Sequence, residues 1–214
     1  MLFEGAQGAF LDIDFGTYPF VTSSSTIASA ICSGSSVAPL AIDRVVGVAK
    51  SYTTRVGQGP FPSEFTPKFS EFIRNKGNEF GATTGRPRRC GWFDAVMVAE
   101  AVRLNSIREL AITKLDVLDN LKKIKICVGY RYKGKVFKKY PYDPQVISKG
   151  SCLWREHPGW GQPTSGAREY SDLPRNARGY LKTLQDLVCA NTFMVSVGSN
   201  RGQTIFLDQA PFND

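Results

Sequence analysis

The chain has 214 residues, with 27 Lys and Arg against 19 Asp and Glu for a formal charge of +8, and 42% hydrophobic residues. That length supports one large domain or two small ones at ~150 residues each, with a core that needs no disulfide or metal staple. The composition argues against disorder, no apolar run reaches the ~18 residues of a membrane span, and the charge excess favours an anionic partner.

In chain order, Met1 to Ala6 reads as a short apolar strand running into the turn Gly5-Ala6-Gln7-Gly8. No basic region followed by an apolar stretch opens it, so no secretory leader is expected. Residues 11–21 mix aspartate, glycine, proline and aromatics as a packed binding loop does. Ser23-Ser24-Ser25-Thr26 is placed to cap a helix through Ile27, Ala30 and Ile31. Ile42 to Val56 reads as strand, followed by the loop Gly57-Gln58-Gly59-Pro60-Phe61-Pro62. Phe69 to Lys76 reads as a short helix stopped by Gly77. Trp92 to Leu104 carries the clearest helical stripe, through Phe93, Val96, Met97 and Ala101. Glu109 to Thr113 reads as a buried strand. Ile124 to Tyr132 and Val136 to Tyr140 flank Lys133-Gly134-Lys135 as a hairpin. Asn176 to Ala190 is a second helix, and Phe193 to Val197 and Thr204 to Leu207 are strands. Strands interleaved with helices predict an α/β sheet with helices packed against it.

The five cysteines have no CxxC spacing and an odd count, which favours a reducing cytosol over a disulfide framework or a zinc site. The only histidine, His157, reads as a turn residue near Trp160. Lys122, Lys123, Lys125, Arg131, Lys133, Lys135, Lys138 and Lys139 lie on alternating sequence and read as a solvated sheet face. An RNA-binding patch is the sharper alternative. Gly129 to Val136 imitates a phosphate loop, but Val136 replaces the magnesium-binding hydroxyl and the setting is strand-turn-strand.

Four short segments carry chemistry. Ala82-Thr83-Thr84-Gly85-Arg86-Pro87-Arg88-Arg89 places hydroxyls, a permissive glycine and planar guanidinium forks before a helix, as an anion site requires. Thr113-Lys114-Leu115-Asp116 follows a buried strand. A carboxylate there can accept from N1–H and the exocyclic amine of guanine, a donor pair adenine lacks, and the lysine stem can lie along the base. This resembles the guanine-reading Asn/Thr-Lys-x-Asp motif of regulatory GTPases. Ser196-Val197-Gly198 closes a strand with small residues that let a flat ligand approach. Gln7, among glycines, can both donate to and accept from a purine edge or a phosphate. Each segment also has a bland reading as a surface turn.

Taken together, and with Asp12 to Ser24, Thr54 to Pro62, Gly77 to Trp92 and Pro158-Gly159-Trp160, these residues resemble the C-terminal half of adenylosuccinate synthetase. The resemblance runs nearly end to end. It implies an α/β fold related to the P-loop NTPases: part of a large, mostly parallel sheet with packed helices, truncated at the N-terminus, with residues 1–214 as one unit. Met1 then falls in a central strand. It implies the conversion of inosine monophosphate, aspartate and GTP to adenylosuccinate, GDP and phosphate with Mg2+, in a cytoplasmic homodimer. By resemblance Gln7, Thr22 and Arg86 contact inosine monophosphate. Val56, Ala82, Thr83, Thr84, Gly85 and Arg86 line the aspartate site. Arg88, Lys114, Leu115, Asp116, Ser196, Val197 and Gly198 hold GTP.

The family's Gly-Asp-Glu-Gly-Lys-Gly-Lys loop, which carries its catalytic base, and its histidine acid have no counterpart in this sequence. Ala28 to Ser33 also departs from the family's glycine-rich stretch. The expectation is therefore half-sites without turnover, completed by a separate N-terminal half or by a partner copy. A non-catalytic remnant that binds guanine nucleotide is one rival. A basic RNA-binding module is the other, with steep salt dependence and indifference to Arg86 and Asp116. No membrane contact is expected.

Overall fold

The computed structural model describes residues 1–81 and 85–207. The central sheet has the order β1-β5-β9-β10. Strands β1 (Val46–Lys50), β5 (Glu109–Thr113) and β9 (Asn191–Ser196) run parallel, and β10 (Thr204–Phe206) closes it antiparallel to β9. A ribbon of β2 (Thr53–Arg55) with β3 (Arg89–Gly91) stands beside it. A second sheet joins β4 (Phe93–Asp94), β6 (Lys123–Tyr132), β7 (Lys135–Phe137) and β8 (Ser151–Pro158). The helices are α1 (Ala30–Ser35), α2 (Pro67–Lys76), α3 (Ala95–Leu104), α4 (Pro144–Lys149) and α5 (Arg175–Val188). The α/β class and the largely parallel sheet agree with the sequence. Among the described residues no helix is long and apolar enough to cross a membrane.

Helix α5 forms where the periodicity places it, because Ala177, Tyr180, Leu181, Leu184 and Val188 recur on one buried face. They pack with Ile112 and Leu118 in the main core, where each fully buried leucine is worth about 2 kcal/mol. Helix α3 starts later than its apolar stripe suggests. The Trp92 N–H goes to the Ser63 carbonyl (2.9 Å), and Phe93 and Asp94 pair with β6 instead. Buried Asp94 then caps the helix, accepting from the Val96 and Met97 amides (both 3.1 Å) and from the Tyr130 hydroxyl (2.8 Å). Burial pushes its carboxyl up to about 6, against those three donors. Asp94→Ala should therefore lower stability by about 2 kcal/mol through a lost cap and an orphaned tyrosine hydroxyl. A urea midpoint unchanged from the parent would contradict this.

Four expectations need correction. Met1 to Ala6 is not a strand: residues 1–8 are exposed and pair with no strand among the described residues. An apolar run forms a strand only where a neighbour completes its ladder. The helix after Ser23 to Thr26 begins only at Ala30, and Ser29 makes no side-chain cap. The carboxylate of buried Asp12 takes the amides of Thr26 (2.6 Å) and Ile27 (3.2 Å), and Asn105 takes that of Ala28 (2.6 Å). These hydrogen bonds hold the segment in another conformation until Ala30. The strand expected from Ile42 to Val56 is split at buried Ser51 and Tyr52, whose side chains point to the site described below. His157 lies in β8, not in a turn, with its ring edge-on to Tyr180 at 5.6 Å.

The lysine-rich segment is only partly a sheet face: Lys123, Lys125 and Arg131 lie in β6 and Lys135 in β7, while Lys122, Lys133, Lys138 and Lys139 lie in the turns and loops around them. Seven of its eight basic residues are exposed and Lys125 is half-buried, 5.9 Å from the Trp154 ring centre. Gly129 to Val136 is strand-turn-strand, which rules out a phosphate loop there. The five cysteines are free thiols.

Candidate nucleotide site at the ends of the parallel strands

In open parallel sheets, ligands bind beyond the carboxyl ends of the strands. Here Lys50 ends β1, Lys114 follows β5 and Ser196 ends β9. Lys114 sits in the left-handed region at φ 61°, and its amide donates to the Ser196 hydroxyl at 3.0 Å. Its carbonyl accepts from the Ser51 hydroxyl at 2.8 Å. The two guanine-type segments read from the sequence are thus one structure. The turn after Lys114 is fixed from below by Asp119, which accepts from the Trp160 indole (2.7 Å) and from the Thr164 amide (2.8 Å) and hydroxyl (2.9 Å). Asp116 is held on this turn. Its Oδ1 is buried and has no hydrogen-bond partner among the described residues. Burial, with nearby Asp119, pushes its carboxyl above the ordinary aspartate value, against the pull of its own backbone amide and, less strongly, of Lys76 and Lys114.

The arginine loop reaches the same place. Phe80 bridges to Pro87, and the Gly81 amide donates to the Arg86 carbonyl at 2.8 Å, so residues 79–81 and 85–88 form the two arms of a hairpin, with Gly85 at φ 63°. Its base is the pair Glu79 and Arg88, joined by Arg88 N–H to Glu79 C=O at 3.0 Å. The side chain of Glu79 is completely buried. Its Oε2 accepts from Lys50 Nζ (2.7 Å) and the Arg88 guanidinium (2.8 Å). Its Oε1 accepts from the Tyr52 hydroxyl (2.6 Å) and faces Lys114 Nζ at 3.2 Å. Lys114 Nζ also donates to the Gly77 carbonyl. One carboxylate therefore binds together Arg88 and Lys114, which the sequence reading assigns to phosphate and to guanine. Burial raises the Glu79 carboxyl, but the hydrogen bonds from Lys50, Tyr52 and Arg88 win and hold it at about 2. Desolvation lowers Lys50 and raises Tyr52.

Two surface cavities, about 540 Å³ over α2 and about 210 Å³ beside Tyr140 and Tyr142, lie away from these strand ends. Converging chemistry, rather than a cavity, marks the site. A family model described as adenylosuccinate synthetase matches residues 1–205. The chain belongs to the adenylosuccinate synthetase family. It is 52% identical over 209 residues to the adenylosuccinate synthetase of Carboxydothermus hydrogenoformans, covering 98% of this chain and 49% of that one. To the enzyme of Pelotomaculum thermopropionicum it is 53% identical over 205 residues, covering 96% and 48%. The fully ligated adenylosuccinate synthetase structure from Plasmodium falciparum superposes with a TM-score of 0.92 at 39% identity, over 96% of this chain and 49% of that chain. A succinoaminodeoxyadenylate synthetase of cyanophage S-2L shares the fold alone, at 18% identity and a TM-score of 0.57. The chain thus spans about half the length of the curated relatives it matches.

Within this family member, the residues read as binding fall into three groups. Lys114, Asp116, Ser196 and Arg88 are gathered by the contacts just described. Leu115 and Val197 are fully buried core side chains, so only their backbone can face a ligand. A Cβ at Gly198 would meet the Gln203 side-chain amide, which would have to shift to make room. The second group lies around Arg55, whose guanidinium binds the Thr17 hydroxyl (3.0 Å), the Phe20 carbonyl (2.9 Å) and the Gln58 carbonyl (3.0 Å). Arg55 thereby clamps the loop carrying Thr22 to the loop opened by exposed Val56. Gln7 is exposed and lies outside both groups. In the third group Gly85 and Arg86 are exposed on the hairpin, while Ala82, Thr83 and Thr84 lie outside the described residues. Arg89 turns away, pairing with Glu64 and the Gly59 carbonyl (2.8 Å), and holds the loop before α2.

Sequence reasoning missed Glu79, Lys50, Tyr52 and Arg55. Glu79 and Arg55 stand inside quoted family stretches, which was the signal available. Lys50 could have been found as a cation at a strand end.

Proposed function

We propose that this chain carries the guanine-reading and aspartate-binding portions of an adenylosuccinate synthetase. The reaction joins inosine monophosphate and aspartate at the expense of GTP, releasing GDP and phosphate. The observation that supports it best is the buried Oδ1 of Asp116, without a partner among the described residues, on the same turn as Lys114, whose amide donates to Ser196. An unpaired buried carboxylate oxygen costs free energy that a ligand's donor can recover. In this reading Asp116 accepts from guanine N1–H and the exocyclic amine, and the Lys114 stem covers the base. The Leu115, Val197 and Gly198 backbone lines the pocket, and Arg88 faces the phosphates. Thr83, Thr84, Arg86, Gly85 and Ala82 receive the aspartate carboxylates beside Val56. Gln7, Thr22 and Arg86 orient inosine monophosphate.

GTP's terminal phosphate activates the purine 6-oxygen, and the aspartate amine then displaces it. What these residues supply is binding and orientation. Family resemblance implies Mg2+. Among the described residues no three His, Cys, Asp or Glu side chains converge to hold a metal ion, and Mg2+ is commonly held by one or two carboxylates together with a nucleotide's phosphates. A cytoplasmic setting fits the five free thiols. Partners other than the three substrates would be the complementary half of the family's chain or a second copy.

The chain alone should form no adenylosuccinate in a coupled assay with GTP, inosine monophosphate and aspartate. Mixed with the N-terminal half of a relative, it should form product, and Arg86→Ala should abolish it. Turnover by the chain alone, or a copurifying mixture that binds substrates and stays inactive, would contradict the reading.

A further inference from the structure

We infer that Glu79 is a positioning residue of the nucleotide site, setting the distance between its guanine end at Lys114 and its phosphate end at Arg88. The inference rests on the guanine-nucleotide reading above. Three strand-end elements meet at this one carboxylate: Lys50 closing β1, Lys114 following β5, and Arg88 at the base of the hairpin that leads into β3. The carboxylate cannot swing out, because it is buried and Tyr52 holds its other oxygen. Each cation keeps an accessible fraction, 24% for Lys50, 28% for Arg88 and 33% for Lys114, so each can touch Glu79 and still face a ligand.

Here three cations share one carboxylate, with Asp116 the next acidic group near Lys114. The surplus is what a polyphosphate would neutralise. The hairpin adds a second link, since Glu79 also takes the Arg88 amide through its own carbonyl. Any shift of Glu79 therefore moves the arginine loop and the lysine together.

The sign of the mutant effect separates positioning from simple electrostatics. Removing a negative charge beside an anion site should tighten GTP binding if only through-space attraction matters. If Glu79 positions the two cations, Glu79→Gln should instead weaken GTP about tenfold, with guanosine weakened too, because each charge-assisted contact loses its geometry. Glu79→Asp keeps the charge, so it guards against a fold lost with the counterion, and it shortens the reach. It should weaken GTP in the same direction.

The experiment is calorimetric titration of the folded parent, Glu79→Gln and Glu79→Asp with GTP, guanosine and ATP. Amide hydrogen exchange of residues 85–88 and 113–118, without nucleotide, is measured alongside. Weaker GTP binding and faster exchange in both segments, in both variants, is the expected result. GTP binding unchanged or tighter in Glu79→Gln, or exchange altered in one segment only, would overturn the inference. A parent that binds GTP and ATP equally would sink the guanine reading instead, while the exchange data would still decide whether Glu79 couples the two segments.

Discussion

Glu79→Met is expected to cost about 4 kcal/mol of folding stability, the range for breaking a buried ion pair, and to lower the melting midpoint by about 10 °C. Methionine fills the space but leaves Lys50, Arg88 and Lys114 facing one another and Tyr52 without its acceptor. The effect carries a pH signature. The carboxyl sits at about 2 when folded, against an ordinary value of 4.5. A depressed carboxylate adds stability that is fully present above its unfolded value and fades as pH falls from about 4.5 toward 2, roughly 3 kcal/mol in all. The parent should therefore lose its advantage over Glu79→Met across that window. Urea unfolding of both proteins between neutral pH and the acid limit measures this. A difference constant with pH would show that Glu79 is not the ionised hub described here.

The second large effect belongs to Asp116. Asp116→Asn exchanges one of two acceptors for a donor. Guanine then presents its exocyclic amine to another amine, and GTP affinity should fall about 100-fold. Xanthosine triphosphate offers a carbonyl at the same ring position, so the variant should bind it better than the parent does. Burial of the Asp116 oxygen makes the penalty large, since water cannot repair the mismatch. Competition titration with the two nucleotides reads the exchange directly. Equal losses for both would mean that the side chain supports the turn and does not read a base.

The legible parts of this fold were those whose pattern and environment agree. Helix α5 and strand β5 bury regular apolar faces, and their limits fall within two residues of the sequence reading. The position of Lys114 and Asp116 just after β5 was legible because their short motif follows a regular buried strand. Strand β8 was not, since none of its residues is buried and so no alternation marks it. Met1 to Ala6 misled because its apolar run has no ladder partner here. Ser23 to Thr26 misled because a distant carboxylate, Asp12, takes the amides that a local cap would have used. Burial alone would raise the Asp12 carboxyl, but four backbone donors outweigh it and bring it below the ordinary value.

Glu79 shows the same limit at the site. A glutamate between Asn78 and Phe80 in a glycine-rich loop reads as surface charge. Only the meeting of residues 29 and 35 positions away, Lys50 and Lys114, turns it into a buried hub. Local sequence holds the chemistry of each group, and the tertiary fold decides which of them share a carboxylate.

The central claim is that a guanine nucleotide is gripped between the turn at Asp116 and the arginine hairpin. Calorimetric titration of the unmodified chain with GTP and with ATP, at one ionic strength, tests it most directly. The account predicts GTP binding at least about 100-fold tighter than ATP, because only guanine pairs the buried carboxylate oxygen. Equal affinities for the two nucleotides would contradict it.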